Sequence, residues 1–376
     1  MLHANYRQPG GEENSFEAES QLIESLGFRI TRLMVDNEGM THGPLSALES
    51  VFSVKNFLAV FRTISREKPA FVYANNLWPG LSSSPIAAAR ILGIPVLQAV
   101  RNYRLVCPSA KLDNDGACIE CGSQIFPFSC IKNGCYNNSS VQSLVTFLSA
   151  FINRLIVLRW NRHRYLATSN KTRDLMIRNG IPADRINTRP NFLFNPPTPS
   201  FAPGEGAIYV GRLTKEKGIL NLLSEWPAHS NSLKLTIVGD GPLREKVLDY
   251  CGLNPNLKWI GSQDQEVVSD LVKSSALAIV PSVWAEPFGR VAIEAMSVGT
   301  PVVCTVGGTL ADIVGDSGII LPSLSAESIM EILEVADSPG RLIELRRKSY
   351  ERFCKGFTID ASRENLVTQL REVSQC

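Results

Sequence analysis

"ALAIVPSVWAEPFGRVAIEAMSVGTPVVCT", residues 276 to 305, reads as one complete structural unit. The apolar run ALAIVPS (276 to 282) leads into a Pro-Phe-Gly turn, an Ala-containing stretch of helical spacing follows, and TPVVCT (300 to 305) is a second apolar run. Short β-branched runs bounded by Gly and Pro predict buried parallel strands joined by a crossover helix. The unit also carries two carboxylates, Glu286 just before the helix start and Glu294 about two turns inside it. Acids near a helix N-terminus complement its dipole, which is one account of both.

The same alternation recurs outward in both directions. FVYA (71 to 74), IPVLQAV (94 to 100) and YLATS (165 to 169) read as strands in the first half, and AIYVGRL (207 to 213), LKLTIVGDG (233 to 241) and LKWIG (257 to 261) join the series in the second. Between the two series lies RPNFLFNPPTPSFAPGEG (189 to 206), with five prolines and no helical periodicity. That stretch is the best linker in the chain. The expected organisation is α/β, with two doubly wound domains over 1–195 and 205–357 around a linker at 196–204. Such sheets bind ligands beyond the carboxyl ends of their strands, so the expected site is a cleft between the facing domains.

Composition sets the class. The chain has 376 residues, 44% hydrophobic and 20% charged, with a formal net charge of +2. Length and balance fit an ordinary globular protein of about two domains. The N-terminus lacks the order of a secretory signal, so a cytoplasmic location is expected. Nine cysteines in such a chain read as thiols or metal ligands before a disulfide framework. No nucleic-acid motif or interleaved aromatic stripe is present.

Three segments carry candidate chemistry. The run AIYVGRL ends in Arg212, and Lys217-Gly218 follows where a helix should start. A guanidinium and an ammonium near free helix N–H groups suit a diphosphate, although a solvated Arg and Lys flanking a turn would look alike. Gly10 and Gly11 precede EENSFEAESQLIESLG, so backbone there can approach an anion closely, or simply turn. VGDGPL has Gly239 and Gly241, but Arg244 stands where a dinucleotide fingerprint needs its third glycine. None of the four histidines has a Ser or Cys partner in view, so a hydrolase triad has little support.

PGGEENSFEAESQLIESLG, YVGRLTKEKG, IVGDGPL and EPFGRVAIEAMSVGTPVV occur in that order, and together they resemble the GT-B retaining glycosyltransferases of family 4, including bacterial enzymes that extend surface polysaccharides. The resemblance implies two facing Rossmann-like domains, with a last helix over 358–376 returning to the first. It implies that Glu286 bonds sugar hydroxyls and Glu294 a ribose diol, since a carboxylate accepts two hydroxyl hydrogen bonds at once. Backbone N–H groups near Phe288 and Gly289 would meet the distal phosphate. Arg212 and Lys217 would neutralise the departing diphosphate, with Gly10 and Gly11 closing on it from the other domain. The nucleobase would lie against backbone at Ile260 and Gly261. The implied partners are a nucleotide diphosphate sugar and a glycan or polyprenyl-diphosphate-linked acceptor, with no metal required for catalysis. A non-catalytic nucleotide-sugar-binding or scaffold member is the alternative.

Two segments depart from the pattern or extend it. The family generally has a histidine near the reacting sugar, and QAVRNYRLVCP has Arg101 in its place. If Arg101 faces the cleft it is expected to grip an anion; the competing expectation is a side chain turned outward. The loop 101–138 then holds five of the nine cysteines. Cys107, Cys118, Cys121 and Cys135 look like a set shared with relatives and are candidates for a structural zinc site, with free thiols or a disulfide as alternatives. From Val141 to Asn195 nine Lys or Arg face two acids, and SLVTFLSAFINRLIVLRWNRHRY is strongly apolar on one side. This is either a helix packed on the first domain or an interfacial helix attracted to an anionic membrane surface.

Overall fold

The computed structural model describes residues 1–5, 11–37, 43–110, 112, 118, 121, 128–157, 160–228 and 233–375. The chain forms two compact units, Met1–Asn191 with Ser362–Cys376, and Phe192–Ala361.

The first unit is built on six strands: β1 (Leu2–Asn5), β2 (Leu33–Asp36), β3 (Val72–Ala74), β4 (Val96–Val100), β5 (His163–Ala167) and β6 (Ile186–Thr188). They lie in the order β2-β1-β3-β4-β5-β6, and every pairing is parallel. β3 and β4 are buried at every residue, as strands covered on both faces must be. Leu2, Ala4, Val72, Ala74 and Val96 pack with Val60 and Ile64 of the helix Val54–Glu67 and with Ile86 and Ala89 of the helix Ser84–Ile91. The last helix, Ile359–Gln375, is held here through the Asn187 amide, which donates to Gln369 Oε1 at 2.6 Å and to Glu372 Oε2 at 2.9 Å.

The second unit carries β7 (Ala207–Val210), β8 (Leu235–Val238), β9 (Leu257–Trp259), β10 (Leu277–Val280), β11 (Val302–Thr305) and β12 (Ile319–Leu321), in the all-parallel order β12-β11-β10-β7-β8-β9. Side chains alternate across a strand, and here the alternation sorts them into two cores. Ala207, Tyr209, Leu235, Ile237, Leu277 and Ile279 face one layer of helices, while Ile208, Val238, Ala278 and Val280 face the other. The apolar runs read from the sequence are continuous because both faces are covered.

Chain order fixes where each sheet opens. In the second unit the chain starts at β7, steps outward to β9, then crosses to β10, so the switch point lies between β7 and β10. In the first unit it starts at β1, steps to β2 and crosses back to β3. The loops leaving the carboxyl ends of adjacent strands diverge at such points and leave room for a ligand.

Candidate functional site

Lys217 and Glu286 meet at the switch point of the second unit. Lys217 closes the short turn Lys215–Lys217 after β7, and Glu286 lies in the segment after β10. The ammonium donates to both carboxylate oxygens at 2.8 Å, and Oε2 also accepts from Ser282 Oγ at 3.0 Å and Trp284 Nε1 at 3.1 Å. Burial pushes the Glu286 carboxyl up, but the Lys217 charge and the bonds from Lys217, Ser282 and Trp284 outweigh it and hold the group below its ordinary value. The carboxylate is therefore ionised and fixed in direction.

A third loop supports it, and sequence reasoning missed that loop. After β11, Thr309 donates through its backbone N–H and its hydroxyl to the Glu286 carbonyl, both at 3.1 Å. Gly308 has φ +63°, and a Cβ there would sit 2.2 Å from the Glu286 nitrogen. Only glycine fits this approach. The signal was the Gly-Gly-Thr at 307 to 309, which follows the second apolar run of the opening stretch.

Gly289 precedes the helix Arg290–Ser297, and no side chain caps its first amides. The start of a helix suits an anion, and here the Ala292 N–H donates to the Gly289 carbonyl at 3.0 Å. Phe288 contributes backbone only, because its side chain is buried against Phe357. Glu294 sits on this helix and accepts from Arg290 Nε at 2.7 Å. Arg212 is not drawn in: its side chain is 63% exposed and pairs loosely with Glu216 at 3.9 Å. At the ends of β8 and β9, the Gly239 N–H donates to the Gly261 carbonyl at 2.8 Å, and the Ile260 N–H donates to Ile237 at 3.0 Å. A Cβ on Gly239 would lie 2.0 Å from the Gly211 carbonyl oxygen. The glycine of VGDGPL thus lets two loops pack closely.

In the first unit, Gly11 opens the helix Gly11–Ser25, and Gly10 lies outside the described residues. Arg101 follows β4 and turns inward. Its Nε donates to Asn75 Oδ1 at 2.6 Å, its Nη2 to Glu19 at 3.0 Å, and its Nη1 to Asn191. Glu19 also accepts from Arg189, which reaches Tyr73. A cavity at the ends of β3 and β4 is lined by Asn75, Gln98, Trp78, Thr146, Ser149 and others, including Arg101. Of the cysteine loop, Cys121 and Cys130 pack with Phe147 and Cys135, and Cys107 contacts Ser109 Oγ at 3.1 Å. A hydrogen bond with Cys121, then burial, then the neighbouring Cys121, Cys135 and Cys107 push the Cys130 thiol far up. Among the described residues no three His, Cys, Asp or Glu side chains converge as metal ligands.

The second unit matches the family model described as "Glycosyl transferases group 1" over residues 199–350. An uncharacterized glycosyltransferase of Methanocaldococcus jannaschii is 38% identical over 112 residues, 28% of this chain and 28% of the relative. Glycogen synthase of Mycobacterium tuberculosis is 31% identical over 192 residues, 48% of this chain and 44% of the relative. The chain thus spans less than half the length of these two relatives. The whole fold aligns with HepE of Anabaena, crystallised with UDP-glucose, at a TM-score of 0.68 over 98% of each chain and 16% identity. The fold is GT-B. In GT-B terms the Lys217–Glu286 pair belongs to the second Rossmann-like unit and the Arg101 network to the first.

Proposed function

We propose that the chain is a retaining glycosyltransferase of family 4, moving a sugar from a nucleotide diphosphate sugar to a glycan or lipid-linked acceptor. The observation that carries this reading is the Lys217–Glu286 pair beside the uncapped helix at the switch point of β7 and β10. The similarity of residues 199–350 to glycosyl transferases group 1 supports it.

The atoms divide the work as follows. Lys217 spends two hydrogens on Glu286, and the third is available to a phosphate oxygen. Glu286 Oε2 already accepts three bonds, whereas Oε1 accepts one, so Oε1 is the atom that receives a sugar hydroxyl. The amides after Gly289 stabilise the distal phosphate as charge develops there. Arg212, exposed to solvent, closes on the diphosphate when it binds, and Glu294 holds the ribose diol. The bond from the anomeric carbon to the diphosphate breaks, the acceptor oxygen bonds to that carbon on the same face, and its proton passes to the departing phosphate.

The test is nucleoside diphosphate release from a panel of nucleotide sugars, with calorimetry on two variants. Glu294→Ala should weaken binding of the free nucleoside diphosphate about tenfold, the loss of a hydrogen-bonded diol. Glu286→Ala should bind it nearly as well and lose turnover. Equal loss of binding in both would sink the assignment. Donor binding without release in any acceptor extract would favour the non-catalytic binding subunit.

A further inference from the structure

The helix Ser140–Val157 of the first unit is turned inside out. Its buried positions are Ser143, Thr146, Phe147 and Ser149, while Val141, Leu144, Leu148 and Leu155 face solvent. The exposed positions recur at helical spacing and make one stripe. Val141 is 74% exposed. The inward polar face has its own explanation, since Thr146 and Ser149 line the cavity at the ends of β3 and β4 and Ser143 Oγ accepts from the Tyr136 N–H at 3.0 Å. Among the described residues, nothing inside the unit explains the outward apolar face.

Neighbouring elements extend that face. The helix Pro44–Val51 packs beside Ser140–Val157 and turns out Leu45 and Leu48, 79% and 67% exposed. Val54 and Leu58 of the next helix are exposed as well. Exposed apolar side chains gathered on such helices mark an interaction site. Its charges are one-sided: Lys55, Arg62 and Lys132 are exposed on these helices and the adjoining Ser129–Lys132, against a single exposed acid, Glu49, while Glu67 at the far end pairs with Arg29 and Arg66. Ser140–Val157 itself has no acid.

We propose that this face docks on an anionic lipid bilayer, with the leucine stripe in the acyl boundary and Lys55, Arg62 and Lys132 at the headgroups. Ser140–Val157 is long and apolar enough to cross a bilayer, but it packs against the helices Ser129–Lys132, Pro44–Val51 and Ser84–Ile91. Spanning would strip those contacts and place the cavity-lining Thr146 and Ser149 in lipid, whereas lying in the interface keeps both. The geometry then sets the amide- and hydroxyl-lined cavity behind a lipid-facing helix, where a lipid-linked acceptor would present its polar head.

Flotation of the full chain with vesicles tests this without any substrate, so the outcome does not depend on the transfer reading. Binding is expected to phosphatidylcholine vesicles containing phosphatidylglycerol, and much less to phosphatidylcholine alone, with salt weakening it. The double variant Leu144→Ser, Leu148→Ser should keep its Tm, both side chains being exposed, and partition at least about tenfold less. The charge variant Lys55→Glu, Lys132→Glu provides a second readout and should lose only the anionic preference. No binding to either vesicle overturns the proposal. So does a stable dimer in light scattering that the leucine variant dissociates, which would assign the face to a second copy.

Discussion

Arg101 is held by partners that its own segment does not name. Its place in QAVRNYRLVCP pointed to a side chain in the cleft gripping an anion, or to one turned outward; the guanidinium is bonded to Glu19, Asn75 and Asn191, and Arg101 also lines the cavity at the ends of β3 and β4. The missing clue was Glu19. In EENSFEAESQLIESLG it looks like one of several solvated acids, but Ser15, Phe16, Glu19, Ser20, Leu22 and Ile23 form the buried face of that helix, so periodicity marks it as an inward acid in need of partners. Arg101 and Arg189 are those partners, and burial with Glu19 alongside raises Tyr73 while Glu19 helps keep Arg189 charged against desolvation. Breaking a buried pair strands the charge that remains. Arg101→Ala is therefore expected to destabilise the first unit by about 3 kcal/mol, and Glu19→Gln by a similar amount. Chemical denaturation monitored by tryptophan fluorescence decides. Unchanged stability with lost turnover would return Arg101 to the reacting sugar.

At the scale of elements, legibility follows burial. The opening stretch folds as read, with a strand at Leu277–Val280, a helix at Arg290–Ser297 and a strand at Val302–Thr305, because both strands are covered on two faces and show continuous apolar runs. Three of the four edge strands escaped, β9 alone having been read, from LKWIG. β2 alternates between half-buried and exposed residues, β6 and β12 have three residues each, and none offers a run to detect. β5 was read to start at Tyr165 and begins two residues earlier, because His163 between arginines looks like loop although its Nε2 bonds Gln98 Oε1 on β4 at 3.0 Å. In the candidate site, the sequence singled out Lys217 and Glu286, which the structure pairs, and Glu294, which it pairs with Arg290; the Gly308 and Thr309 cradle escaped, since its contacts are to backbone. The cysteine loop shows the same limit: the family resemblance named Cys107, Cys118, Cys121 and Cys135, and folding gathers Cys130 with Cys121 and Cys135. Thiol donors fit the chemistry of structural zinc, and loading would have to draw them inward to a common centre. The zinc proposal expects about one zinc per chain in protein purified without chelator, and Cys121→Ser should lower that content. A metal-free preparation with unaltered folding leaves a thiol cluster only.

The whole molecule is two units with separate cores, 1–191 with 362–376 and 192–361. Among the described residues, the main cores of the second sheet are drawn from 192–361 and that of the first from 1–191, and each sheet is built of its own strands. Cooperative unfolding follows shared core, so calorimetry should resolve two transitions. Every residue of the Lys217–Glu286 site and its Thr309 support lies in the second unit. A ligand bound only to a folded site stabilises what holds that site, by about 2.7 kcal/mol at a hundredfold excess over its dissociation constant. A nucleoside diphosphate should therefore raise one transition and leave the other in place. The variant Arg101→Ala should do the reverse, lowering the transition that the nucleotide does not move. If the nucleotide raises both transitions together, the two units unfold as one, and the assignment of the donor site to the second unit alone loses its thermodynamic support.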